Sequence, residues 1–324
     1  MTPAITIAIC TYNRCAALEE TLASLLAVRM PDGLPIEILV VDNNSTDGTK
    51  DAVERFGVVQ PGTIRYVFEP RQGLSHARNA AIAYARAPVL AYVDDDVLFH
   101  PHWLLALLER FAADPDLMCL GGRVVPVFEG GQPSWLTPYL ASAYGELDAG
   151  SEPRPLRYPE HPYGLNMAFR REVLDALGGF DPRLGRSGAR LLSGEETELF
   201  ARAHRAGLKT GYTPDAVVFH RIPRSRATRS WALRRYYWAG VSRAIMHRGL
   251  SPLTVRERLR LACYELAHLS RMVAGQPWRF ARSFAPSDGE SVETLARAAQ
   301  RVGAFRAYLA WRGASRPRVT AREA

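Results

Sequence analysis

The first hundred residues alternate short apolar runs with stretches of helical periodicity, and this order restricts the fold more than any other feature of the chain. The strand-like runs lie at 5–10, 36–41, 63–68 and 89–93. Four leucines within 18–26 fall on one face of a helix, and a further helix is predicted over 75–86. Strands that alternate with helices build a mostly parallel sheet covered on both faces, so we predict a doubly wound α/β fold.

Polar residues follow three of these strands directly. Residues 11–14 (TYNR) come after the first strand, Asp42 after the second, and Asp94–Asp96 after the fourth. Open α/β sheets bind ligands beyond the carboxyl ends of their strands. The sequence therefore predicts a nucleotide pocket at this edge of the sheet.

The acidic triplet Asp94, Asp95 and Asp96 predicts a metal site. Three adjacent carboxylates repel one another, and burying them costs free energy unless a cation compensates. Oxygen ligands of this kind suit Mg²⁺ or Mn²⁺. Alternate residues of an extended chain point the same way, so Asp94 and Asp96 are predicted to share the metal while Asp95 faces elsewhere. A solvated acidic loop is the alternative.

The basic character of the chain is concentrated in its C-terminal part. The formal net charge of the 324 residues is +8, from 41 Lys and Arg against 33 Asp and Glu. Residues 221–324 hold 21 Arg and six acidic residues, a balance of +15, so residues 1–220 carry a balance of −7. Nucleic acid, an anionic membrane surface and a phosphorylated substrate all suit a basic chain, and the total charge does not choose between them.

Several classes of protein are disfavoured by what the sequence lacks. No apolar run approaches the ~18–20 residues of a membrane-spanning helix, and residues 1–7 show neither the basic nor the apolar stretch of a signal peptide. The four cysteines have neither C-x-x-C nor zinc-ligand spacing. No G-x-G-x-x-G, P-loop or G-x-S-x-G motif occurs, which disfavours dehydrogenases, NTPases and serine hydrolases. We expect a cytoplasmic protein with no transmembrane helix.

Beyond residue 100 the pattern changes twice. Residues 121–165 are rich in Gly and Pro and are predicted to form loops, helices are predicted near 170–177 and 194–206, and a strand over 216–220 ends the acidic part. Apolar residues then recur at spacings of three and four, which predicts amphipathic helices. We predict a basic, mainly helical region over 221–324.

A series of short motifs resembles the family 2 glycosyltransferases. The motifs occur in order at 8–14 (AICTYNR), 40–48 (VVDNNSTDG), 73–79 (GLSHARN), 92–96 (YVDDD), 164–171 (GLNMAFRR), 179–181 (GFD) and 194–199 (GEETEL). The resemblance implies a GT-A-like (Rossmann-like) doubly wound mixed sheet with a C-terminal helical extension. It also implies a catalytic domain over 1–220, with a nucleotide-binding half of about 1–100 and an acceptor half of about 101–220.

The same resemblance implies the residues of the donor site. Those implied for the nucleotide-sugar are Thr11, Tyr12, Arg14, Asp42, Arg78, Asp94 and Asp95. Asp42 accepts from the base, for which uracil is expected, and Asp94 and Asp96 hold Mn²⁺ or Mg²⁺ on the diphosphate. His220 matches a late histidine that adds a metal contact in some relatives. A purely structural role stays open for His220, and a packing role for Tyr12.

The pair Glu195 and Glu196 falls where the family has an acidic pair whose second member is the catalytic base. An acceptor hydroxyl must lose its proton as it attacks the anomeric carbon, so a base is required. The family usually has Asp at the second position, and this departure leaves the choice between Glu196 and Glu195 open. Ser193 and Glu196 also have the spacing of a capping box at a helix start.

The acceptor side is predicted less sharply. Trp135 is a candidate to stack on a sugar ring, although a local core role is equally open, and Asn166 and Met167 lie in a stretch that lines the sugar and acceptor side in relatives. In the basic region, arginines interleaved with aromatic residues suit a membrane surface. The alternative is helices that pack on the catalytic domain or on a second subunit, whereas nucleic acid is disfavoured.

The function predicted from these features is a metal-dependent, inverting glycosyltransferase. We expect it to move a sugar from a nucleotide-diphospho-sugar to a glycan or lipid-linked glycan, in polysaccharide or glycoconjugate synthesis, in the cytoplasm or peripherally on the inner membrane face. A sugar nucleotidyltransferase is one alternative, but residues 11–14 lack its Gly- and Arg-rich phosphate loop. An inactive relative that binds glycan or membrane is the other.

Overall fold

The computed structural model describes residues 2–31, 33–188, 190–250, 253–275 and 288–310. Its strands are β1 (Ile5–Thr11), β2 (Ile36–Asp42), β3 (Ile64–Phe68), β4 (Val89–Asp94), β5 (Val97–Phe99), β6 (Leu117–Phe128), β7 (Arg154–Pro155), β8 (Asn166–Arg170) and β9 (Lys209–Ile222). Its α-helices are α1 (Cys15–Leu26), α2 (Thr49–Val59), α3 (Leu74–Tyr84), α4 (Trp103–Ala113), α5 (Pro138–Ala141), α6 (Arg171–Leu177), α7 (Glu195–Arg205), α8 (Arg229–Leu250), α9 (Val255–Gly275) and α10 (Gly289–Leu309).

The strands of the described residues form one mixed sheet in the order β3-β2-β1-β4-β8-β6-β9-β5, with β7 paired to β9. The first four strands in this order, β3, β2, β1 and β4, come from the N-terminal part of the chain and run parallel to one another. β8 runs antiparallel to both β4 and β6. The carboxyl ends of β1 and β4 therefore lie side by side, with Cys10 opposite Asp94.

Helices cover both faces of the sheet, as the doubly wound prediction requires. On one face, Ile5, Ile7 and Ile9 of β1 pack with α1 and α4 in a buried cluster. On the other face, Ala8 belongs to a second cluster with residues of α3, α6 and α7. The alternation along β1 follows from the two-residue repeat of a strand, and it confirms the predicted fold class.

The strands and helices predicted within the first hundred residues all occur, with ends shifted by one or two residues. The prediction of loops over 121–165 is wrong at its start, because β6 continues to Phe128 and pairs with β9. β9 begins at Lys209 and ends at Ile222, so it extends past the predicted domain boundary between 220 and 221. Gly and Pro within 121–128 mark an irregular strand here, and the register of β6 against β9 shifts between Gly122 and Val124.

Among the C-terminal helices that the structure describes, two pack on the part of the chain that carries the sheet. Tyr236 of α8 and Val292 of α10 share a buried cluster with Trp135, Leu140 and Tyr144. This supports the packing interpretation of the basic region for α8 and α10. Among the described residues, no helix is long and apolar enough to cross a membrane.

α9 is tied to its two neighbours by a buried carboxylate. Glu265 of α9 accepts from Arg243 of α8 at 2.7 Å and from Arg301 of α10 at 3.0 Å. Because both oxygens of the carboxylate are paired, the buried charge is compensated and the pair of contacts specifies how the three helices meet.

α8 and α10 cross with their backbones in close contact at two glycines. A Cβ atom on Gly240 would lie 1.8 Å from the carbonyl oxygen of Gln300, and one on Gly303 would lie 2.0 Å from that of Tyr237. No other residue type fits at either position without separating the helices.

Alanine at Gly303 or Gly240 is therefore expected to lower the free energy of unfolding by about 1–3 kcal/mol, as overpacking does. Gly57 of α2 is the matched control, because a Cβ there meets nothing within 4 Å. G57A should leave stability unchanged or raise it by up to about 1 kcal/mol. Urea unfolding of the three variants measures the difference, and equal effects of G303A and G57A would contradict the close crossing.

Candidate active site

A cavity of about 440 Å³ lies at the carboxyl ends of β1 and β4, where the sequence predicts a nucleotide pocket. Its wall also takes side chains from the start of α7 and from the chain on either side of the start of α8. The charged and polar side chains that line it include Thr11, Tyr12, Arg14, Arg78, Asp94, Asp95, Arg186, Glu195, Glu196, His220, Arg226 and Arg235. Nine of these twelve residues are among those implied by the motifs.

Arg14 and Thr11 hold the second residue of the acidic triplet. Thr11 Oγ1 donates to Asp95 Oδ2 at 2.7 Å, and Arg14 Nη1 donates to Asp95 Oδ1 at 2.5 Å. Burial raises the pKa of Asp95 to about 6, with Arg14 opposing the shift and Asp96 adding to it. Asp95 therefore joins the end of β1 to the end of β4.

Asp96 is buried among cations. Its Oδ2 accepts from Arg14 Nη2 at 2.8 Å and from Arg226 Nη1 at 3.0 Å, whereas its Oδ1 is buried without a hydrogen-bond partner in the described part of the chain. Burial alone would raise the pKa of Asp96, but His220 and the two guanidinium groups hold it well below its usual range. Asp96 is thus ionised and has one oxygen free for a further ligand.

His220 faces Asp96 from the end of β9. Its Nδ1 donates to the carbonyl oxygen of Tyr144 at 2.6 Å, and its Nε2 lies 3.4 Å from Asp96 Oδ2. With Nδ1 as the donor to Tyr144, Nε2 meets the carboxylate oxygen either as an N–H donor or as a second acceptor. Two acceptors at this distance require either a proton or a cation between them.

Asp94 and Asp96, which are predicted to share one metal, have different surroundings, and the shared metal stays a prediction. The chain turns at Asp95 and Asp96 instead of continuing as a strand, so the alternation of an extended chain does not apply. Asp94 lies 3.6 Å from Arg78, whereas Asp96 contacts Arg14, Arg226 and His220. The described residues contain no group of three or more His, Cys, Asp or Glu side chains arranged to hold a metal ion. A metal here needs ligand atoms from a bound molecule as well.

Arg78 of α3 is the buried cation at the centre of the site. Its Nη1 donates to Glu195 Oε1 at 2.8 Å, and its guanidinium carbon lies 5.4 Å from the centre of the Phe180 ring and 6.0 Å from that of Tyr92. The Tyr92 hydroxyl donates to the carbonyl oxygen of Arg78 at 2.9 Å. Arg78 is thus held from several sides, and it connects α3 to α7.

Glu195 and Glu196 open α7, but Ser193 and Glu196 do not form a capping box. The residue before the helix is Gly194, no side chain caps the helix start, and Ser193 Oγ accepts from Arg235 Nη1 at 2.9 Å. One carboxylate oxygen of each glutamate is buried without a hydrogen-bond partner within the described ranges. Burial and the charge of Glu196 raise the pKa of Glu195 to about 7, against the effect of Arg78.

Three arginines of the cavity were not predicted from the sequence. Arg226 and Arg235 belong to the basic region, which no motif connected with the site, and Arg186 lies in a loop before α7. Burial and the charge of Arg186 lower the pKa values of both Arg226 and Arg235. No carboxylate in the described part of the chain lies within ion-pair distance of Arg186 or Arg235, so the pocket holds two guanidinium groups that are open to an anion.

Five of the predicted residues lie outside the pocket wall: Asp42, Asp96, Trp135, Asn166 and Met167. Asp42 is buried behind it, with Oδ2 accepting from the Tyr66 hydroxyl at 2.7 Å and Oδ1 from the Ser45 amide at 2.8 Å. Trp135 packs in the cluster beneath α8 and α10, as in the local core alternative.

Asn166 and Met167 are core residues of β8. The Asn166 amide donates to the carbonyl oxygens of Arg123 and Ala216 and accepts from Trp103 Nε1 at 2.9 Å, so all of its hydrogen-bonding groups are used. Met167 is 1% exposed in the second sheet cluster. Strand pairing turns both side chains inward, so neither lines the cavity, and their acceptor-side role stays a prediction. Tyr12, by contrast, is 40% exposed and lines the cavity.

Known proteins resemble this chain in sequence and fold. The model described as glycosyl transferase family 2 matches residues 6–178. A glucosyl-dolichyl phosphate glucuronosyltransferase of Haloferax volcanii is 26% identical over 247 residues, which cover 75% of this chain and 77% of that protein. The succinoglycan biosynthesis protein ExoM of Rhizobium meliloti is 30% identical over 243 residues, which cover 73% of this chain and 72% of that protein.

Solved structures give the same fold. One of them is a mannosyltransferase of Pyrobaculum calidifontis in complex with GDP-Man and Mn²⁺. Its superposition covers 93% of this chain and 87% of the mannosyltransferase chain, with a TM-score of 0.58 and 22% sequence identity. The family model covers more than half of the chain, and the ordered motifs that it matches surround one cavity. This chain therefore belongs to glycosyl transferase family 2 and has the GT-A fold.

Proposed function

We propose that the chain transfers a sugar from a nucleotide-diphospho-sugar, with a UDP-sugar the expected donor, to a hydroxyl of a glycan or lipid-linked glycan, with inversion. The observation that carries this proposal is that one cavity is lined both by Asp94 and Asp95 of the arginine-paired acidic triplet, next to the buried Asp96, and by a separate carboxylate pair with free oxygens. The first suits a diphosphate leaving group, and the second suits the deprotonation of an acceptor.

The donor contacts follow from the cavity residues at the end of β1. The exposed ring of Tyr12 is available to the base or ribose. Beside Tyr12, Arg14 is held in place by Asp95 and Asp96. Asp42 has one accepted hydrogen bond on each oxygen and is 2% exposed. A base that bonds to Asp42 must therefore reach it past Tyr66 or Ser45.

A divalent cation fits beside Asp96. Asp96 Oδ1 and His220 Nε2 are the two protein atoms that would hold the cation. The diphosphate would supply further oxygen ligands. Mn²⁺ accepts such a mixture of carboxylate, imidazole and phosphate ligands. When bound, the ion stabilises the negative charge that develops on the departing diphosphate.

Glu196 is the better candidate for the base. Glu195 is committed to Arg78, whereas Glu196 lines the cavity and forms no ion pair within the described residues. In the transfer, the acceptor oxygen forms a bond to the anomeric carbon, the bond from that carbon to the diphosphate breaks, and the acceptor proton passes to Glu196. Glu195 acts through Arg78 as a positioning residue.

Arg186, Arg226 and Arg235 provide positive charge for the phosphate groups. Arg226 already reaches Asp96, and Arg235 donates to Ser193 while its buried Nε lacks a partner in the described part of the chain. A charged hydrogen bond in such a site contributes about 1.5–3 kcal/mol.

The two glutamates are separable by isosteric substitution. E196Q is expected to lower kcat by about 10²–10⁴-fold with little change in the donor KM, because the base is lost and the shape is kept.

E195Q is expected to retain more activity and to lose the rise of kcat/KM with pH near 7, since protonation of Glu195 below that pH uncouples it from Arg78. Initial rates of nucleoside diphosphate release, with a panel of nucleotide sugars over pH 5.5–8.5, measure both. Normal kcat in E196Q would transfer the role to Glu195 or to neither residue, and pyrophosphate release from NTP and sugar phosphate would indicate a nucleotidyltransferase.

The metal site is tested at Asp96. D96N is expected to weaken Mn²⁺ binding in the presence of UDP by at least about 10–100-fold, as loss of ligand-sphere groups does. D116N is the control, because Asp116 is an exposed aspartate. Titration followed by the electron paramagnetic resonance of free Mn²⁺ gives the affinities directly. Equal Mn²⁺ affinity in D96N and D116N would rule out Asp96 as a ligand.

Neighbouring arginines of α8 test the anion site. R235Q is expected to weaken binding of UDP or turnover of the donor by about 10–100-fold. R234Q should behave as the unchanged protein, because Arg234 is exposed and does not line the cavity. Calorimetric titration with UDP and Mn²⁺ compares them, and the same affinity in both variants would exclude a role in phosphate binding.

A further inference from the structure

The arginine-rich region divides into parts with different surroundings. Arg226 and Arg235 face the cavity, and α8 and α10 pack on the catalytic domain. α9 packs on those two helices through a face that includes the buried Ala262 and Glu265. The rest of α9 faces outward.

α9 exposes an apolar stripe on one shoulder. Val255, Leu259 and Leu266 are 62%, 51% and 48% exposed, and Cys263 is exposed between them. At about 100° per residue, the three aliphatic residues lie within about 40° of one another around the helix axis, and Cys263 lies at the edge of this group. We call Val255, Leu259, Cys263 and Leu266 the α9 stripe.

A row of cations lies beside the α9 stripe. Arg256, Arg260 and Arg271 are exposed, and they lie about 80–140° around the axis from the middle of the stripe. Tyr264, which is 54% exposed, lies beyond them. The acidic residues of α9 are Glu257 and Glu265, and Glu265 is buried in its pair of arginine contacts.

An aliphatic stripe that borders a row of arginines suits a partner with a charged surface over an apolar interior. Aliphatic side chains gain free energy by leaving water for acyl chains, while the arginines remain at the level of anionic headgroups. A second copy of α9 would bring two arginine rows together and is disfavoured by charge repulsion. Nucleic acid would pair with the arginines but would leave the aliphatic residues in water.

We propose that α9 docks the protein on an anionic lipid surface, with the α9 stripe inserted among the acyl chains and Arg256, Arg260 and Arg271 against the headgroups. This docking does not depend on which donor or acceptor the cavity takes. It holds the catalytic domain at a membrane, where a lipid-linked acceptor is concentrated.

Cosedimentation of the full chain with vesicles tests the proposal. The vesicles contain either phosphatidylcholine alone or phosphatidylcholine with phosphatidylglycerol. The unchanged protein should bind the anionic vesicles at least tenfold more strongly than the neutral ones, and the preference should fall at high salt. L259D/L266D should lose at least tenfold in partitioning, and R256Q/R260Q should lose the preference for anionic vesicles.

V58D/V59D is the matched control. Val58 and Val59 of α2 are 79% and 71% exposed, so they are apolar and accessible but lie outside α9. This variant should bind vesicles as the unchanged protein does, and circular dichroism checks that all three double variants are folded. Absence of binding by the unchanged protein, or equal loss in the two aspartate variants, would overturn the proposal. A dimer that L259D/L266D dissociates without changing vesicle binding would assign the α9 stripe to a second copy instead.

Discussion

The buried ion pair between Arg78 and Glu195 connects α3 to the start of α7, 117 residues later in the chain. The side chains are 3% and 5% exposed, and their nitrogen and oxygen lie 2.8 Å apart. Burial of either charge alone would be costly, and removal of one partner from such a pair typically destabilises a protein by about 3–5 kcal/mol. Since Arg78 also lies 3.6 Å from Asp94, the end of β4 and the start of α7 are positioned by one guanidinium group. The acidic triplet and the glutamate pair therefore depend on the same contact.

Charge in this protein is organised by local compensation. Asp95 and Asp96 share Arg14, and Asp96 adds Arg226 from a segment 130 residues later in the chain. Glu265 takes two arginines and joins three helices. The surplus of arginine over acid in 221–324 is thus partly used in the cavity and between helices, and among the described residues further arginines are exposed on α8, α9 and α10.

Local patterns predicted the strands, the helices and the cavity, because strand ends and helix faces are properties of neighbouring residues. They failed where a side chain's direction depends on pairing or on a turn. Asn166 has a polar side chain in a motif, yet pairing of β8 with β4 and β6 buries it among backbone carbonyls. Asp94 and Asp96 diverge because the chain turns between them. Arg226 and Arg235 have no spacing that relates them to Asp96 or Ser193, so only the packing of α8 brings them to the cavity.

The C-terminal helices consequently have a role in the cavity as well as on the surface. Arg235 and Tyr236 are adjacent in α8, and one lines the cavity while the other packs in the cluster with Trp135. The close crossing at Gly240 and Gly303 aligns α8 with α10, which also contacts that cluster. A chain ending near residue 221 would lose the two cavity arginines together with α9. Substitutions on the outer face of α9 are therefore needed to separate membrane docking from catalysis, because they leave the inner contacts of Glu265 and the cavity unchanged.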